Sequence, residues 1–173
     1  MSALELSKNF SAFAGTWALD PAATTVAFTT KAMWVLPVKA TVKATSGSAT
    51  VTADGDISGT FVLDAASFDT GMKKRDVHLQ SADFFDVAKF PTMTYAVTSA
   101  RLLGPKQLEF AGNLTIRDQT LPFVVVADVS PADGSAVLAI ETDLDRSLWG
   151  ISWTKMGAGL DNHIIVSARY TRS

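Results

Sequence analysis

Lysines, an Arg-Asp pair, a histidine and three phenylalanines crowd into KKRDVHLQSADFFDVAKFP, residues 73–91. The rest of the chain mostly alternates apolar with small polar residues. Arg75, Asp76 and His78 are the residue types that could transfer protons, bind an anion or ligate a metal. An Asp and a His two positions apart supply no nucleophile, however, and the serine elbow G-x-S-x-G occurs nowhere in the chain. The absence of cysteine removes thiolate catalysis, disulfides and cysteine-ligated zinc. The second histidine, His163, lies far along the chain, and no His/carboxylate cluster is expected near either one, so no metal site is expected. Two roles remain for the charged pair. Arg75 and Asp76 can form an ion pair or cap a helix end, or Arg75 and His78 can meet the polar head of a bound ligand.

The elements that must hold these residues follow from period-two alternation. Leu108, Phe110, Leu114 and Ile116 fall on one face of a strand, with Glu109, Asn113 and Thr115 on the other. The same phase recurs at Val26 and Phe28; at Val38, Ala40 and Val42; at Ile57, Phe61 and Leu63; and at Met93, Tyr95 and Val97. It returns at Phe123 and Val125, at Leu138 and Ile140, and from Ile164 through Val166 and Ala168 to Tyr170. At least eight strands are therefore predicted. Turn chemistry at Gly104-Pro105, at Arg117–Thr120 and at Pro131–Gly134 joins several of them as hairpins. Long strands, each burying one face, suit an antiparallel up-and-down barrel or a sandwich, and closure favours the barrel because it removes the edges.

Between the Phe61 and Met93 strands the alternation stops. Asp69 or Thr70 is a candidate N-cap, Met72 and Leu79 can share a helical face, and Pro91 ends the segment. A short helical insertion at about 69–90 is expected, with Phe84, Phe85, Val87 and Phe90 beneath it as a lid on one end of the barrel.

Composition sets the outer bounds. A chain of 173 residues with 47% hydrophobic and 18% charged side chains suits one globular domain, 1–173, with residues 1–14 as an N-terminal extension. Leu4, Leu6, Phe10 and Phe13 can fold that extension into a short amphipathic helix that plugs the barrel end. The 15 basic and 17 acidic residues are scattered, which argues against nucleic-acid binding. No run approaches the roughly 20 apolar residues of a membrane span. Glu5, Lys8 and Asn9 interrupt the opening residues, so no signal peptide is expected and a cytoplasmic location follows, a processed secreted form being the alternative. Trp149 and Trp153, four apart, would share a face if they lie on a strand. KMGAGLD lacks the third glycine of a dinucleotide loop and reads as an ordinary loop.

SFDTGMKKRDVHLQSADFFDVAKFPTMTY resembles the most recognisable segment of the YceI-like family, with its S-x-D-T, R-D-x-H-L and S-x-D-F-F-D patterns and a proline opening the next strand. WALDPAATTVAF resembles the family's opening strand, GNLTIRDQTLPF its hairpin, and DRSLWGISW its R-x-x-x-G segment at Arg146–Gly150. Departures stand at Ala23 and Thr24 (His-Ser in many members), at Ala32 (a His), at Ala40–Val42 (G-x-F) and at Asp118 (the hairpin glycine). The resemblance implies a lipocalin-like antiparallel barrel with a helical insertion, non-enzymatic, holding a polyisoprenoid or similar lipid.

The inward phase then predicts a lining of Phe28, Phe61, Met93, Tyr95, Phe110, Phe123 and Ile140, with Trp153 added and Arg75 and His78 as head-group contacts. Small inward residues, Thr30, Ala40, Ala44, Gly59, Gly112 and Ala168, leave open whether the barrel is hollow or simply packed. The expected partner is a hydrophobic small molecule, with no cofactor beyond an isoprenoid or isoprenoid-quinone-like ligand. An enzyme acting on a lipid-like substrate in the same cavity and a filled-barrel interaction scaffold are the alternatives. Oligomeric state, a homodimer included, is left open.

Overall fold

Period-two alternation builds nine strands in the computed structural model, which describes residues 13–173. They are β1 (Gly15–Leu19), β2 (Thr25–Ala32), β3 (Leu36–Val51), β4 (Ile57–Asp69), β5 (Thr92–Gly104), β6 (Gln107–Ile116), β7 (Gln119–Ala132), β8 (Ser135–Asp145) and β9 (Asp161–Arg172). One α-helix, α1 (Lys73–Leu79), lies between β4 and β5. The helix proposed from Leu4, Leu6 and Phe10 falls outside the described residues; Phe13 falls inside them.

From β2 to β9 each strand pairs antiparallel with the next, and β9 returns to β2 over Thr25↔Ser167 to Thr29↔His163, closing the barrel. Nine strands fill eight positions. β1 and β2 occupy one place between β3 and β9: β1 meets Ser48–Val51 and Tyr170–Arg172, whereas β2 meets Leu36–Val42 and His163–Ser167. The break between them is a 3-10 turn at Pro21–Ala23, where proline has no N–H for a ladder. Thr24 spans the gap, its hydroxyl donating to the Asp20 carbonyl at 2.7 Å and accepting the Arg169 N–H at 3.2 Å.

Barrel curvature demands close backbone approach. A Cβ on Gly112 would fall 2.2 Å from the Ala96 carbonyl oxygen, and one on Gly59 2.3 Å from that of Ser48, so only glycine fits at these inward positions. A bulge in β4 has a further consequence. Asp64 accepts the Ala66 N–H at 2.9 Å, and the Ser67 hydroxyl donates to the Asp64 carbonyl at 2.6 Å while accepting the Lys43 N–H at 2.7 Å. The inward phase thereby moves from Ile57, Gly59, Phe61, Leu63 and Ala65 to Phe68. Phe68 stacks on Phe85 of the insertion at 4.3 Å and meets the edge of Phe28 at 5.4 Å.

The two ends differ. One carries the β2–β3 tip, residues 70–91, the β6–β7 turn and residues 146–160; the other carries the turns at 52–56, 105–106 and 133–134, with Phe13 against Trp17. The insertion begins at Thr70 rather than Asp69, because β4 runs through Asp69. Neither Asp69 nor Thr70 is the N-cap: Met72 holds that position without a side-chain cap. Asp69 instead accepts the Gly71 N–H at 2.8 Å. Trp149 and Trp153 are not on a strand. Asp145 caps a 3-10 turn at Arg146–Trp149, which the left-handed Gly150 ends (φ 81°). The indole N–H of Trp149 then donates to the Leu114 carbonyl at 2.9 Å from within the wall.

Candidate functional site: an apolar barrel cavity

The inward positions do not fill the barrel. They enclose a cavity of about 690 Å³ lined by Phe28, Phe61, Met93, Tyr95, Phe110, Phe123, Ile140 and Trp153, with Arg75 and His78 at its upper end. All ten residues singled out from the sequence therefore reach one space. The small inward positions divide: Thr30, Gly59 and Ala168 line the cavity, whereas Ala40, Ala44 and Gly112 are buried in the wall outside its lining.

The lining is apolar over most of its extent, and its polar atoms are largely engaged. The Tyr95 hydroxyl donates to the Phe123 carbonyl at 2.7 Å, with the Phe110 carbonyl at 3.2 Å. Burial pushes this phenol, and that of Tyr170, up to about 12. Among the described residues no carboxylate lines the cavity. Its charged side chains are Lys31, Lys74, Arg75, Arg146 and Lys155.

The charged insertion holds the lid in place. Arg75 and Asp76 do not form an ion pair; both grip Thr70. The Asp76 carboxylate accepts the Thr70 N–H at 2.8 Å and its hydroxyl at 2.6 Å. Arg75 Nε donates to the Thr70 hydroxyl oxygen at 2.8 Å and Nη2 to the Thr70 carbonyl at 3.0 Å. With lysines in the first turn, against the helix dipole, the seven-residue α1 depends on this clamp. His78 Nε2 lies 2.9 Å from Asp83 Oδ2, and its ring meets Phe84 and Trp153 edge-on at 5.1 and 4.6 Å.

Sequence reasoning missed Arg146 as a site residue, although it marked the segment. Its guanidinium is buried and donates to the carbonyls of Gly159 (3.0 Å), Ile151 (2.7 Å) and Trp153 (2.6 Å), lying 5.1 Å over the Phe84 ring. Burial pulls it below its ordinary pKa, with the Asp145 carboxylate acting in the opposite direction. Arg146 thus ties the 146–160 loop to the lid, and three carbonyls that converge only after folding leave no mark in sequence spacing. Phe68 was missed because its inward turn depends on the bulge.

The expectation that no carboxylate clusters near a histidine is overturned on the outer wall. His163 Nδ1 lies 2.7 Å from Asp143 and Nε2 2.7 Å from Glu141, because β8 and β9 pair in the register Asp143↔His163. The hydrogen bond to Asp143, then that to Glu141, raises the imidazole pKa. Among the described residues no group of three or more ligand-type side chains could hold a metal ion.

A closed eight-position antiparallel barrel with an apolar interior and one helical insertion is a lipocalin-like fold. The YceI-like domain pattern matches residues 17–171, and the chain belongs to the YceI-like family. Among curated relatives, a UPF0312 protein of Vibrio cholerae is 41% identical over 66 residues, 38% of this chain and 35% of its own. Protein YceI of Salmonella newport is 42% identical over 65 residues, 38% and 34% of the two chains. These matches span about a third of the relatives' length. Among solved structures, Burkholderia cenocepacia BcnA superposes with a TM-score of 0.76 at 19% identity, covering 87% of this chain and 98% of its own. A polyisoprenoid binding domain from Saccharophagus degradans gives 0.73 at 11% identity, covering 91% and 98%. At these identities the likeness is one of fold.

Proposed function

We propose that the protein binds a long apolar molecule, an isoprenoid or a similar lipid, within the barrel and serves as its carrier or store without chemical turnover. The observation that carries this reading is the apolar cavity of about 690 Å³. At roughly 30 Å³ per water-sized group, it has room for about twenty methylene-sized groups. The family membership and the fold shared with a polyisoprenoid binding domain support it. The lining also supports binding over catalysis. It holds no carboxylate among the described residues, and two phenols at about 12 are poor proton donors or acceptors near neutral pH. A hollow interior counts against a filled scaffold. The proposed location is cytoplasmic, to be checked by cell fractionation.

The test is mass spectrometry of an organic extract from protein purified without detergent. Co-purification of one class of long-chain lipid, stoichiometric with protein, is expected. An empty extract, together with no uptake of a fluorescent polyisoprenoid, would refute the reading.

A further inference from the structure

The β2–β3 tip is built against the usual preferences of a hairpin. Met33 and Trp34 both take positive φ, 48° and 68°, a conformation that favours Asn and Gly and strains bulkier side chains. The turn is held by the Trp34 N–H donating to the Gly157 carbonyl at 3.1 Å. Glycine is required at 157, where a Cβ would meet Trp34 at 2.5 Å. This strained tip projects four consecutive apolar side chains into solvent: Met33 is 55% exposed, Trp34 74%, Val35 76% and Leu36 51%.

The tip stands at the cavity opening. Met33 lines the upper end of the cavity together with Met72, itself exposed at the N-terminus of α1. Lys31, Lys74 and Lys155 line the same rim, are exposed, and form no ion pair among the described residues. An aromatic apolar projection ringed by lysines is complementary to a bilayer surface with anionic headgroups, where Trp favours the interface and Lys the headgroup layer. A protein partner fits less well. A convex tip on the order of a few hundred Å² falls short of the ~800 Å² per partner of a stable interface. Among the described residues no helix is long and apolar enough to cross a membrane, so the contact is peripheral.

We infer that the β2–β3 tip, with Met72 and the Lys31, Lys74 and Lys155 rim, docks the cavity mouth onto an anionic lipid bilayer. A long apolar molecule could then pass between membrane and barrel without crossing water. The docking itself does not depend on what the cavity holds.

Vesicle flotation with phosphatidylcholine alone and with phosphatidylcholine–phosphatidylglycerol mixtures tests this. Wild-type protein should float with the mixed vesicles in a salt-sensitive manner. Its tryptophan emission should shift to the blue, since Trp34 is the exposed one of the four tryptophans. Trp34→Asn/Val35→Ser, at two positions outside the cavity lining, should lose at least tenfold in vesicle affinity. Its melting temperature should be equal or higher, because Asn tolerates the left-handed turn. Lys31→Gln/Lys74→Gln should weaken binding to mixed vesicles by about fivefold per lysine and leave neutral vesicles unaffected. Three results would overturn the inference: no flotation of wild type, undiminished flotation of Trp34→Asn/Val35→Ser, or a tip-dependent dimer without vesicle binding. Probe uptake measured without vesicles reports on the cavity alone, so a failure of docking is distinct from a failure of the binding reading.

Discussion

Replacing Ala168 by leucine tests whether the cavity volume sets which ligand is held. Ala168 is 2% exposed, lines the cavity from β9, and packs beside Leu19 and Ala44. Leucine adds three carbons, which at roughly 30 Å³ each displace about three methylene-sized groups of ligand. At about 0.8 kcal/mol per group, a ligand that fills the cavity loses about 2.4 kcal/mol, or about fiftyfold in affinity. A ligand half as long can slide clear and should lose little. The assay is displacement of a fluorescent polyisoprenoid by competitors of graded length, alongside urea unfolding to verify the fold. Ala40→Phe is the contrasting control. From the sequence the two positions look equivalent, but Ala40 is buried outside the lining. Overpacking there should cost about 1–3 kcal/mol of stability without a length-dependent change in binding. Equal weakening of short and long competitors by Ala168→Leu, or none at all in a folded variant, would refute the argument that the ligand occupies this volume.

Three further outcomes follow from the lid and the outer wall. Arg146→Met leaves the carbonyls of Ile151, Trp153 and Gly159 without their guanidinium donor and should cost on the order of 3 kcal/mol in urea unfolding; a loss below about 1 kcal/mol would mean that water replaces the donor freely. Asp76→Asn weakens the double acceptor for Thr70 and should lower stability by about 1–2 kcal/mol; unchanged stability with ligand retention abolished would assign Asp76 to the ligand instead. His163 has a raised folded pKa, so its stabilising contribution is fully present below the unfolded value near 6.5 and is lost as pH rises through the folded value. Its NMR titration midpoint should lie above that of a model histidine and fall in Asp143→Asn, and an unshifted midpoint would show that the carboxylates are too well solvated to matter.

Local chemistry was enough to place β2 to β9, because alternation records which face each residue buries; β1 (Gly15–Leu19) was not singled out by phase. Phe28, Phe61, Met93, Tyr95, Phe110, Phe123 and Ile140 could be assigned to the interior from phase alone, and their strands were correctly taken to close. The loss of alternation between the Phe61 and Met93 strands likewise marked the insertion that becomes the lid. Phase cannot say how far apart facing residues stand. Whether the barrel was hollow depended on its radius and on the depth each side chain reaches, and only the folded strands decide those. The same limit separated Ala168 from Ala40, moved Phe68 inward across a bulge, and set His163 between Glu141 and Asp143 through register. Arg75 and Asp76, neighbours in sequence, turned out to share Thr70 rather than each other, and Arg146 found its three carbonyls only once the 146–160 loop had closed around it. Alternation and turn chemistry are properties of residues a few positions apart, so sequence determined them; cavity volume, register and convergent hydrogen bonds join residues that only closure of the barrel brings together.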